Sequence, residues 1–185
     1  MAIRETIRSA AFPLFAQQGI AQTTNAQIAS AAGLTEPQVL DEFAAPVQIA
    51  LVNDHYPRIL ELFVSDNPEL SPSAAWIVAL DEAISGMDAV AWQNETERQR
   101  IVERDPAVAP FGVEIGTQAV QMTVDAVAKR TGLPADSPKV ASFAGALIGS
   151  IAGLPSGNFP DAASWVAAHA ATNEAVGASL DKLLH

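Results

Sequence analysis

The sequence predicts an all-α chain, and three observations carry that expectation. Apolar residues recur at helical spacing along almost the whole length, two capping-box patterns stand close together near the front, and no stretch shows the strict alternation of a strand. The pattern divides into a small three-helix head over residues 1–46 and a larger helical body over 47–185. Hydrophobic residues make up 49% of the chain and charged ones 17%, a thin polar cover that points to a second subunit lying over part of the apolar surface.

Taken in order, Ile3, Ile7, Ala10, Ala11, Leu14 and Phe15 keep one face of a first helix apolar, and Gly19 stands where it should end. Pro13 removes one backbone bond inside it, so a kink or an irregular last turn is expected. Thr24-Asn25-Ala26-Gln27 has the form of a capping box and opens a short second helix reaching to about Ala32. Gly33 supplies a left-handed turn, and Thr35-Glu36-Pro37-Gln38 repeats the box at the start of an equally short third helix. Two brief helices joined this way make a helix-turn-helix, with Ile28, Ala29, Leu34, Val39 and Phe43 as its core.

Pro46 opens a fourth helix whose stripe, Val47, Leu51, Leu62 and Phe63, is interrupted by Pro57, a bend in the segment joining head to body. The breakers Ser65-Asp66-Asn67-Pro68 and Ser71-Pro72 then precede a run with Trp76, Leu80, Ala83, Ile84, Met87 and Val90 at helical spacing. Residues 95–103 read as a charged helix, where Arg98, Arg100 and Arg104 alternate with Glu95, Glu97 and Glu103 in pairs of small individual worth. A long helix over 107–130 closes on Lys129-Arg130, the end at which cations are favoured, and two more follow at about 137–153 and 161–184.

The front of the chain resembles the tetracycline-repressor (TetR) family. Residues 7 to 19 resemble its I-x-x-A-A-x-x-L-F-x-x-x-G opening, and Thr23-Thr24, Ile28-Ala29, Ala32-Gly33-Leu34, Val39 and Phe43 fall at the family's spacing. In the body, the stretch from Arg98 to Asp105 and the later Lys129-Arg130-Thr131-Gly132-Leu133 resemble the variable regulatory domain of some members. The resemblance implies a ligand-responsive transcriptional regulator, a repressor, binding operator DNA as a homodimer. Each third helix would enter the major groove, and a small molecule in the body would change the spacing between heads.

The head departs from the family in its charge. Where that family offers cations or aromatic donors on the third helix and the start of the fourth, this chain has Glu36, Pro37, Leu40, Asp41, Glu42 and Pro46. Residues 1–57 contain two cations, Arg4 and Arg8, against five acids, Glu5, Glu36, Asp41, Glu42 and Asp54, in a chain of net charge −11. Phosphate neutralisation supplies most DNA affinity, so this balance opposes tight binding. DNA contacts are expected at Arg4, Thr24, Thr35, Gln38, Val39 and Leu40. The competing reading is a helical dimer with a degenerate head, holding a small apolar molecule or a protein partner without DNA.

A ligand pocket in the body is expected from Trp76, Leu80, Ile84, Met87 and Trp92 together with Phe111, Ile115, Gln118, Met122 and Phe143. Asn94, Gln118 and Gln121 are its candidate polar anchors. Gly145, Gly149 and Gly153 lie four apart on one helix face, and with Ala152 and Trp165 they are the candidate dimer seam. Metal binding and catalysis are not expected. His55, His169 and His185 are far apart, there is no cysteine, and no nucleophile elbow or phosphate-cradling loop occurs. No cofactor and no membrane span are expected: Val140 to Leu154 is too short to cross a bilayer. The charged N-terminus, Met1 to Glu5, does not read as a secretory signal, so a cytoplasmic protein is expected.

Overall fold

The computed structural model describes residues 3–185, and it is helical throughout with no strand among them. Ten α-helices follow in chain order: α1 Ile3–Gln18, α2 Asn25–Ala32, α3 Glu36–Glu42, α4 Pro46–Leu51, α5 His55–Ser65, α6 Pro72–Leu80, α7 Ala89–Arg104, α8 Gly112–Thr131, α9 Pro138–Gly153 and α10 Ala162–Asp181. They form two compact units that interleave in sequence: residues 1–53 with 88–113, and residues 54–87 with 114–185. The first unit therefore runs past residue 46 and takes in α7 from the stretch expected to be body.

In the first unit, Ile7, Ala11 and Phe15 of α1 pack with Ile28, Val39, Phe43 and Ile49, and Ile101 and Val108 from the later stretch complete the same core. Polar ties hold α7 there. Buried Asn94 donates to Glu5 Oε2 at 2.8 Å and to Ser9 Oγ at 2.9 Å. Arg98, also buried, donates to the Ala50 carbonyl at 3.2 Å while its guanidinium pairs with Glu95 at 2.7 Å. Asp105 accepts from the Ile20 backbone N–H at 3.1 Å. Arg98 thus exceeds the surface pairing expected of it, whereas Arg100 keeps to an exposed pair with Glu97.

Pro57 does more than bend one helix. Val52 turns extended after α4, and a new helix begins at His55, so the proline sits in the first turn of α5, where its missing N–H has no helical partner to lose. The run from Trp76 to Val90 likewise divides. After α6 come a π-helical turn, Asp81–Ser85, and Gly86, and Asp88 then caps α7 by accepting from Ala91 N at 2.8 Å. Val90 lies on α7 and is exposed. Prolines 106 and 110 delay the long helix, which begins at Gly112 after a 3-10 turn, Ala109–Phe111. α1, by contrast, stays helical across Pro13 to Gln18.

The second unit buries Phe63, Trp76, Leu80, Val127, Val140, Phe143 and Leu147. Its helices α6 and α10 approach closely at Gly177, where an added Cβ would lie 2.9 Å from Ser73 Oγ and 2.6 Å from Asn173 Oδ1. Ser73 is fixed in turn: its N–H and hydroxyl donate to Asp181 at 2.9 and 2.7 Å. Arg130, near the C-terminus of α8, donates to the carbonyls of Phe63, Asp66, Asn67 and Leu70. That clamp holds the loop after α5, where Asn67 adopts a positive φ of 49°.

Candidate functional site

The head's candidate interface begins with two helices too short to persist alone, which their caps and core hold. Thr24 caps α2, accepting from Gln27 N at 3.2 Å, while Gln27 Oε1 accepts the Thr24 N–H at 2.9 Å. Gly33 turns the chain at φ 68°, and the Leu34 N–H reaches back to the Ala29 carbonyl at 2.9 Å. Gln38 closes the second box by accepting the Thr35 N–H at 2.9 Å. Both predicted boxes form, and they fix the angle at which α3 is presented.

On α3, Glu36, Pro37, Gln38, Leu40 and Asp41 are exposed, whereas Val39 is fully buried in the head's core and does not reach the outer face. Thr24 and Thr35 are exposed. The Gln38 carbonyl is taken by the box, which leaves its amide N–H groups to donate. Arg4 is half-buried: its Nε pairs with Glu42 at 2.8 Å and its guanidinium lies 5.0 Å from the Phe43 ring centre. Arg8, 3% exposed, donates to the Val52 carbonyl at 2.9 Å and pairs with Glu5. Arg8 is therefore structural, Arg4 is engaged with Glu42 but partly exposed, and the face of α3 carries two exposed carboxylates with hydrogen-bonding and apolar groups beside them.

The residues expected to line a ligand pocket divide between the units. Trp92, buried, and Phe111, exposed, belong to the first. Trp76, Leu80, Ile84 and Phe143 are buried in the second, Met87 and Ile115 are half-buried, and Gln118 and Met122 are exposed. Asn94 is committed to Glu5 and Ser9, and Gln118 and Gln121 donate to Glu114 and Asp125 on the outer face of α8. The second unit's interior polar groups are others. Tyr56 bonds to Thr123, whose hydroxyl donates to the Ala119 carbonyl at 2.6 Å, and burial pushes the Tyr56 phenol up in pKa against that bond. Such pairings across distant helices leave no pattern in a single sequence.

Of the expected dimer seam, Gly145, Gly149, Ala152 and Gly153 are exposed, and a Cβ at any of the three glycines would meet nothing within 4 Å. No neighbour among the described residues explains these glycines. Trp165 is buried, its indole donating to the Leu154 carbonyl at 2.7 Å and its ring lying 4.1 Å from that of His169. Burial lowers the His169 pKa, opposed by the backbone of Trp165 and of Ser150. Among the described residues there is no cluster of metal-ligating side chains, and no helix is long and apolar enough to cross a membrane.

Compared with known families, residues 7–45 match the bacterial regulatory proteins of the tetR family, and residues 70–157 match the MftR C-terminal domain. No curated protein matches the chain.

Proposed function

Because the chain belongs to the tetR family of bacterial regulatory proteins and is a transcriptional regulator with a DNA-binding helix-turn-helix, we propose that it acts as a homodimeric repressor released from operator DNA by a small apolar ligand. In this reading residues 1–46 carry the DNA contacts, at Thr24, Thr35, Gln38 and Leu40, and residues 47–185 hold the ligand and the dimer seam. It works in the cytoplasm by binding and not by catalysis. The observation that carries the proposal is the doubly capped α2–turn–α3 pair, which offers a recognition helix at a fixed angle within the matched segment. The open glycine face of α9 supports a second copy, since interior glycines weaken a helix unless close packing offsets them.

The acidic outer face of α3 favours a second reading, in which the head no longer grips DNA and the dimer serves only its ligand or a protein partner. A gel shift with duplexes from beside the protein's own gene separates the two. The repressor reading expects a complex that survives excess unrelated DNA and dissociates with ligand. It also expects weak salt dependence, well short of the roughly thousandfold loss between low and moderate salt shown by binders with many phosphate contacts. Absence of any specific complex at low salt would leave the second reading.

A further inference from the structure

A single orphan atom narrows what the second unit holds. Trp76 is 2% exposed, and among the described residues its indole Nε1 has no hydrogen-bond partner. Native interiors keep few unpaired buried N–H groups, so one of them calls for an explanation. The indole can only donate, and what it lacks is an acceptor.

The Phe63 contact and the unit's other polar groups narrow the acceptor further. The Trp76 ring meets Phe63 edge-on at 5.7 Å, and the Arg130 guanidinium lies 5.2 Å from the centre of that same Phe63 ring. Both terminal nitrogens of Arg130 are committed to backbone carbonyls, so it offers no fork to an anion. The hydroxyl protons of Thr123 and Tyr56 are likewise engaged, on the Ala119 carbonyl and on Thr123. His169 has the unit's other orphan atom, Nε2. Its Nδ1 faces the Trp165 carbonyl at 3.0 Å and the Ser150 backbone also meets the ring, so His169 sets no requirement on a ligand.

We infer that the effector of this unit is an uncharged, mainly apolar molecule bearing a ketone- or ester-type oxygen, which accepts a hydrogen bond from the Trp76 indole. The inference rests on the reading that the unit binds a small apolar ligand. It adds the chemistry of one contact.

The test uses the full chain, titrated with medium-chain 2-alkanones and with 1-alkenes of equal length, read by thermal shift and by the indole N–H resonances in nitrogen-15 spectra. Each ketone is expected to bind about tenfold tighter than its alkene. The Trp76 indole resonance, assigned by its loss in W76F, should move with ketone alone, and in W76F the two series should bind alike. Equal binding of both series by the wild-type protein would overturn the acceptor and leave the pocket standing. Binding of neither would remove the pocket reading and the inference with it. Should W76F fail to fold, the resonances are assigned instead through W92F and W165F, and a Trp76 signal that ketone leaves unmoved overturns the inference.

Discussion

In the first unit the ties between segments far apart in sequence are polar and directional: Asn94 to Glu5 and Ser9, Arg98 to Ala50, Arg8 to Val52, Asp105 to Ile20. The second unit has ties as distant in sequence, Ser73 to Asp181, Tyr56 to Thr123 and Arg130 to the carbonyls after α5, but among the described residues it also keeps a buried indole N–H unpaired and a glycine face open. Hydrogen bonds to fixed carbonyls hold each unit to one arrangement, whereas an unpaired donor and an open small-residue face leave the second unit groups still to be matched. The contrast suits the proposed function: the unit proposed to meet a duplex has its distant segments tied, and the unit proposed to meet a ligand and a second copy keeps a donor and a face unmatched.

The contrast can be broken most forcefully at Arg98. R98A removes the guanidinium from the Ala50 carbonyl and from half-buried Glu95, which keeps Gln99 as a donor, and should lower the unfolding free energy by about 3 kcal/mol. A loss below about 1 kcal/mol in denaturant titration would mean that the polar ties are incidental.

Next in size is a pair of glycines within the second unit. G177A drives a methyl into Ser73 and Asn173 and should cost about 2 kcal/mol. G149A, placed in open space, should stabilise the isolated helix by up to about 1 kcal/mol while weakening self-association in sedimentation. If G149A leaves the association unchanged, the seam is elsewhere.

His169 gives a smaller effect with a defined sign. Burial holds its folded pKa below the ordinary 6.5, so above that value the ring is neutral in both states and its contribution is complete. As the pH falls below 6.5 the unfolded chain takes up the proton first, and stability declines until the folded ring is protonated too. The unfolding free energy should therefore drop on acidification more steeply in the wild-type protein than in H169F. Parallel curves would contradict the buried neutral ring.

The smallest effect sharpens the role of the head. E36K and D41K each replace an exposed carboxylate on α3 and should tighten duplex binding several-fold at low salt, less at higher salt, as measured by anisotropy. No change in either would place α3 away from the phosphates.

Much of the head was legible because its determinants are local. Thr24 with Gln27, Gly33, and Thr35 with Gln38 each act within a few residues, and both boxes form as the spacing predicts. The segment after residue 46 was less so. A proline in a helical pattern reads as a bend, yet Pro57 accompanies a true break, because Val52 leaves the helix and gives its carbonyl to Arg8, a partner distant in sequence. The charged pattern of α7 reads as a solvated surface, and only tertiary context shows Asn94 and Arg98 buried. The expected pocket residues followed apolar spacing, which identifies an inward face without saying which unit the face belongs to: Trp76 and Trp92 look alike in sequence and lie in different units.

The chain enters the first unit, leaves it after residue 53, and returns from 88 to 113. No single cut, then, liberates an intact DNA-reading module. A fragment stopping at residue 53 forfeits Ile101 and Val108 and uncovers the apolar sockets they occupied. Recombination between relatives at one crossover would mate a head to a foreign α7. Transplanting this reader onto another regulator needs two splices, so head and α7 should pass between proteins as one inheritance.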